Sequence, residues 1–179
     1  RVKIGVVVAA RLDSTRLPGK VLTPLDHRGN CSIDLILNAV KQSQIRDNIV
    51  IATTNRPLDK PIENHVRALG VSIFKGATND LVQRHYQAGI YFGFDWQIRI
   101  TADCPLITPA LIDGCLHQFK VGCDETIDLY TTKTRFEPGL DLEFIRTSAL
   151  KTHHTEMSAL EREHLTMFRS EEHTSELQS

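Results

Sequence analysis

Four short apolar runs, each followed by a segment of helical periodicity, leave few folds open to this 179-residue chain. Lys3 to Ala10, KIGVVVAA, is a near-continuous Val and Ile run with polar residues beyond it, which suits a strand buried on both faces of a parallel sheet. Ser32 is expected to cap a helix whose Ile33, Ile36, Leu37 and Val40 share one face. Asn48 to Thr53 reads as a second strand, and Pro61 opens a helix through Ile62, Val66 and Leu69 that Gly70 stops before a strand at Val71 to Phe74. Asn79 or Asp80 starts the next helix, and Trp96 to Thr101 gives a fourth strand. Thr108 and Pro109 cap a helix with Ile112, Cys115, Leu116 and Phe119 on one side. This βαβαβαβα order predicts an α/β fold, a mainly parallel sheet covered by helices on both faces, with ligands beyond the carboxyl ends of the strands.

Further strands are expected at Ile127 to Thr132 and Leu140 to Ile145, followed by a helix from Thr147 to Phe168. The stretch 169–179, RSEEHTSELQS, lacks apolar periodicity and reads as a translated sequencing adapter, so it is expected to be a non-native tail. Residues 1–168 are then expected to form a single nucleotide-binding domain that lacks its last elements, with the natural start a little upstream of Arg1. Four cysteines without a C-x-x-C pair point to reduced thiols and a cytoplasmic setting. No apolar run is long enough to span a bilayer, and a net charge of -1 argues against a nucleic-acid partner held by bulk charge.

That near-neutral total conceals a local surplus. The first twenty residues carry Arg1, Lys3, Arg11, Arg16 and Lys20 against Asp13 alone, and three of these cations lie in RLDSTRLPGK, directly after the first strand. An exposed charge run is the ordinary reading of such a loop. Its position at a strand end favours phosphate recognition instead: Arg presents a planar fork, Lys a mobile charge, and Ser14 or Thr15 a hydroxyl. Gly19-Lys20 is followed by Val21 and lacks the earlier glycine of a Walker A loop, and no G-x-G-x-x-G is present. Asp103 follows the fourth strand and faces the same crevice, either as a magnesium ligand or as a turn cap. Arg99 lies on a strand expected to be buried, where it needs a partner: a substrate, Asp103 or a structural carboxylate.

The sequence VVAARLDSTRLPGKVL resembles the signature of the cytidylyltransferases that activate acidic sugars, the acylneuraminate and 3-deoxy-manno-octulosonate enzymes among them. The spore-coat polysaccharide branch is the most similar. The resemblance runs through IVIATT, KGATNDLVQRHYQA, RITADCPLITP, GLDLE and EREHLT. It implies a nucleotide-diphospho-sugar transferase type of Rossmann-like fold and transfer of CMP from CTP to an acidic sugar, with pyrophosphate released, for surface polysaccharide synthesis. It also implies Mg2+ as cofactor, with Asp103 as metal ligand and Arg11, Lys20 and Asp103 as catalytic residues. Ala9, Arg11, Ser14, Arg16, Lys20, Asn79 and Arg84 would surround the nucleotide, while Arg99, Asp141 and Glu143 would contact or support the acceptor. A homodimer is implied as well. The spacing itself does not select cytosine, and a nucleotide-sugar-binding or glycosyltransferase-like domain remains the alternative. The family usually has Asn after the strand that here ends in Thr131-Thr132, and the resemblance implies a second metal-binding aspartate from a region beyond this chain's expected authentic end. Glu163 and His164 match a motif without a derivable role, and His153 and His154 are assigned none.

Overall fold

The computed structural model describes residues 2–13, 17–124, 126–133, 135–163, 165 and 174–175. Strand β1 (Ile4–Ala9) lies inside the sheet, paired in parallel with β2 (Ile49–Thr54) on one side and β4 (Trp96–Thr101) on the other; β3 (Ser72–Gly76) extends the β2 edge. Beyond β4 come β6 (Glu143–Arg146), antiparallel to it, then β5 (Leu129–Thr131) and the two-residue β7 (Thr174–Ser175) beside β5. The order is β3-β2-β1-β4-β6-β5-β7. The chain leaves β1 in one direction and returns to its other side at β4, so a crevice opens at the carboxyl ends of those two strands.

The apolar run of β1 explains its central place. Val6 and Val8 join a core with α1 (Ser32–Lys41), α2 (Lys60–Ala68) and α4 (Pro109–Gly122), while Val7 packs on the opposite face with Ala88 of α3 (Leu81–Phe92). Val6, Val7 and Val8 are all wholly buried, and each such side chain stabilises the fold by about 1.5–3 kcal/mol relative to exposure. Helix α5 (Thr147–His154) lies beside α3, joined to it through a cluster that includes Val82 and Leu150. Among the described residues no helix is long and apolar enough to cross a membrane.

Two helix boundaries differ from expectation. Cys31, not Ser32, caps α1: its thiol accepts the third amide while Asp34 returns a carboxylate oxygen to the Cys31 N–H at 2.9 Å. Ser32 is thereby freed to donate its hydroxyl to the carbonyl of Ala102, at 2.5 Å. The helix expected over 147–168 ends at His154; Met157 and Leu165 beyond it still pack with Val82 and Leu150, although the chain after His154 does not continue the helix. Ser158 then restarts the chain by bonding Glu161, ahead of a short 3-10 turn at Glu161–Glu163.

Candidate active site

The ends of β1 and β4 and the turn between β3 and α3 enclose a cleft of roughly 540 Å³, counting space open to solvent. Ala9, Ala10 and Arg11 line it from β1, Thr78, Asn79 and Arg84 from the turn and α3, and Arg99 from β4; Glu163 reaches it from the C-terminal side. Ala9, Arg11, Asn79, Arg84 and Arg99 are thus brought together as the sequence suggested. Ser14, Arg16 and His164 lie outside the described residues.

Arg84 is only 2% exposed. Its guanidinium donates to the carbonyls of Ala77 and Thr78 at 2.8 and 2.9 Å, which shapes the turn under the cleft. A Cβ at Gly76 would meet the Arg84 side chain at 3.0 Å and the Phe74 ring at 2.8 Å, so the close packing here depends on glycine. Burial, reinforced by Arg11, lowers the Arg84 pKa to about 10, and the residue remains cationic at neutral pH. Asp80 has a structural role: it accepts from the Gln83 amide at 2.7 Å as the cap of α3 and pairs with His154 at 2.6 Å, joining α3 to α5.

The loop after β1 is held by a network that sequence reasoning missed. Asp59, wholly buried, accepts from the Leu12 amide at 2.8 Å, from the Thr54 hydroxyl, and from Arg56 at 2.8 Å. Arg56 also reaches Asp13 at 2.5 Å, and Asp13 lies 3.2 Å from Arg11. Burial opposes the charge on Asp59, but the Thr54 hydroxyl, the Leu12 amide and Arg56 outweigh it and hold the carboxyl below its ordinary pKa. The Arg56 hydrogen bond does the same for Asp13. The signal lay in Arg56-Pro57-Leu58-Asp59, where proline opens a short 3-10 turn immediately after β2.

Lys20 and Asp103, in the loops that follow β1 and β4, pair with each other at 2.7 Å and are not among the residues that line the cleft. Gly19 adopts φ 74°, a left-handed conformation that turns the chain into the 3-10 turn Lys20–Leu22 and delivers the lysine. On the other side, the Ser32 bond to Ala102 fixes the turn bearing Asp103. Partial burial works against the Asp103 carboxylate, yet Lys20 brings its pKa below the ordinary value.

Arg99 finds neither Asp103 nor solvent as its main partner. It pairs at 2.6 Å with Glu143, its register neighbour on β6, and Lys133 approaches the other carboxylate oxygen at 2.6 Å. Burial of Glu143 is outweighed by these two cations, so its pKa too is lowered. Asp141 lies before β6, where it accepts from the Gly139 amide at 3.1 Å. Strand β6 itself begins at Glu143.

A cleft lined by Arg11, Arg84 and Arg99 at the switch point of a mainly parallel sheet defines the chain as an α/β domain with a cationic crevice at its strand ends. Residues 5–178 match the model of the cytidylyltransferase family, and the chain belongs to that family. It is 35% identical over 125 residues to the spore coat polysaccharide biosynthesis protein SpsF of Bacillus subtilis, covering 67% of this chain and 51% of that protein. It is 26% identical over 133 residues to the 3-deoxy-manno-octulosonate cytidylyltransferase of Koribacter versatilis, covering 74% of this chain and 48% of the relative. The chain therefore spans about half the length of these curated relatives. A solved cytidylyltransferase from Leptospira borgpetersenii superposes with a TM-score of 0.86 at 32% identity, over 94% of this chain and 71% of that one.

Proposed function

We propose that this chain is the nucleotide-binding part of an enzyme that transfers CMP from CTP to a hydroxyl of an acidic sugar. The observation that carries the reading is the grouping of Arg11, Arg84 and Arg99 in one cleft at the ends of β1 and β4, with the Lys20–Asp103 pair in the loops that follow those strands, in a member of the cytidylyltransferase family. The names of the two curated relatives support a sugar acid as acceptor and polysaccharide synthesis as the setting. In the reaction, the sugar oxygen bonds to the α-phosphorus, the bond from that phosphorus to the oxygen bridging the β-phosphate breaks, and the hydroxyl proton is released. Pyrophosphate leaves with the electron pair.

Arg11 and Lys20 neutralise the triphosphate, and Arg84 adds buried positive potential while holding the turn that carries Asn79. Lys20 exchanges its carboxylate partner for phosphate oxygens when the triphosphate enters. The donor set at Asp103 suits Mg2+: a hard, half-exposed carboxylate beside the phosphate site, partnered by a mobile lysine. Bound there with triphosphate oxygens, Mg2+ would polarise the α-phosphate and offset charge on the leaving group.

The test is binding and turnover. The chain should bind CTP more tightly than ATP, and Arg11→Ala should weaken that binding about 10- to 100-fold, the loss of one or two charge-assisted hydrogen bonds. Pyrophosphate should appear when CTP, Mg2+ and a 3-deoxy-ulosonic or sialic acid are present together. Tight CTP binding without pyrophosphate from any acceptor would replace transfer by simple nucleotide or nucleotide-sugar binding.

A further inference from the structure

Away from the cleft, three side chains from α1 and α2 converge on one point. The ring nitrogen Nε2 of His65 lies 2.6 Å from Asp34 Oδ1 and 3.7 Å from Cys31 Sγ, and the three ligand atoms all lie within 4.8 Å of one another. We propose that Cys31, Asp34 and His65 form a binding site for a divalent cation of zinc type, clamping the start of α1 to α2.

The geometry excludes one other reading and is compatible with a second. A nucleophilic relay needs the carboxylate on one ring nitrogen and the thiol on the other; here a single nitrogen faces both, so it cannot take a proton from Cys31 while donating one to Asp34. A plain His65–Asp34 ion pair accounts for the 2.6 Å contact and the Cys31 cap of α1 sets the thiol nearby; a metal site adds a use for the convergence of all three ligand atoms within 4.8 Å. Tetrahedral zinc with ligand bonds of about 2.0–2.1 Å to N and O and 2.3 Å to S places N and S about 3.6 Å apart and N and O about 3.3 Å apart. The observed 3.7 Å already fits the first. The second requires His65 and Asp34 to part by about 0.7 Å as the metal replaces the proton between them.

The site is also supported and reachable. Asp34 Oδ2 is anchored by the Cys31 amide at 2.9 Å, which orients the carboxylate and leaves Oδ1 for the metal. His65 has 36% of its side chain exposed, which gives a path of entry and a fourth position for water. The donors are one thiolate, one imidazole and one carboxylate, a set that favours zinc or cobalt over magnesium or calcium. Protons from the thiol and from the His65–Asp34 hydrogen bond go to solvent on binding.

Cobalt(II) is the probe. Titrated into the metal-free chain, Co2+ should produce intense tetrahedral visible bands and a near-ultraviolet thiolate-to-metal band saturating at one ion per chain, and Zn2+ should bleach them. Cys31→Ser should abolish the thiolate band, while Cys104→Ser should leave it unchanged. His65→Gln, altering a partly exposed side chain, should weaken binding at least about tenfold and keeps the test valid if Cys31→Ser does not fold. Absence of the bands in the parent chain, their survival in Cys31→Ser, or unaltered affinity in His65→Gln would overturn the proposal.

Discussion

Two ion-pair systems hold the loops that follow the sheet's strands, and they are built in opposite ways. At the β2 side, Asp59 is 0% exposed and receives an amide, a hydroxyl and a guanidinium, so its charge is fully satisfied by groups that cannot leave. At the β4 side, Lys20 and Asp103 keep 35% and 42% of their side chains exposed and hold one strong contact between them. The first fixes the backbone of the loop after β1. The second stores an acid and a base that can be redirected to ligands. A buried pair is costly to break because the remaining charge loses its partner, whereas an exposed pair contributes about 0–1 kcal/mol.

Substitutions can break or sharpen that contrast. No stability loss is expected to exceed that of Asp59→Ala, which strands the Leu12 amide and the Thr54 hydroxyl and leaves Arg56 with Asp13 alone: about 3 kcal/mol by urea denaturation, with CTP binding lost as the loop loosens. If Asp59→Ala unfolds no more readily than the parent chain, the loop is not held by this network. Glu143→Gln should cost about 3 kcal/mol, since Arg99 and Lys133 then face each other without an anion. Lys20→Ala belongs to the other class. Its midpoint in urea should stay within about 1 kcal/mol of the parent, while KM for CTP rises about tenfold; equal losses of stability in Lys20→Ala and Asp59→Ala would erase the distinction.

The last effect is a matter of acidity, and it is felt only gradually, per unit of pH. His85 is fully buried behind the cleft, and Gln97 spends its amide hydrogens on the His85 carbonyl and the Thr147 hydroxyl, leaving its oxygen to accept from His85 Nδ1 at 3.1 Å. Burial depresses the His85 pKa to about 3, with Arg99 adding to the effect. The unfolded chain protonates this residue below about pH 6.5 and the folded chain does not. Its contribution to stability is therefore complete above pH 6.5 and lost as pH falls toward 3. Within that window the stability of the parent chain should decline by up to about 1.4 kcal/mol per pH unit more steeply than that of His85→Gln. Parallel slopes would mean that His85 is charged in the fold.

Much of the architecture was legible because it rests on local periodicity. The bounds of β4, the Thr108 cap and the left-handed Gly70 all follow from residues next to one another, and each occurs as read. Among the cleft residues, Arg11 was legible from its place after the first strand and Arg99 from its charge on an apolar strand, whereas Ala9, Asn79 and Arg84 were named by the family resemblance and not by local periodicity. What was not legible depends on distant pairing. Leu12 meets Asp59 across 47 positions and Arg99 meets Glu143 across 44, and no local pattern selects those partners. The end of α5 was misjudged for the converse reason: weak periodicity after His154 resembles a helix, although the chain there does not continue one.

The central claim is that Asp103 acts in chemistry while the buried network acts in structure. It is tested most directly by measuring pyrophosphate release from CTP, Mg2+ and a sugar acid with the parent chain and with Asp103→Asn, alongside their urea midpoints. The account predicts a rate at least about 100-fold lower in the variant, the scale lost with one group that stabilises transition-state charge, at a stability within about 1 kcal/mol. An unchanged rate with a folded variant would contradict it.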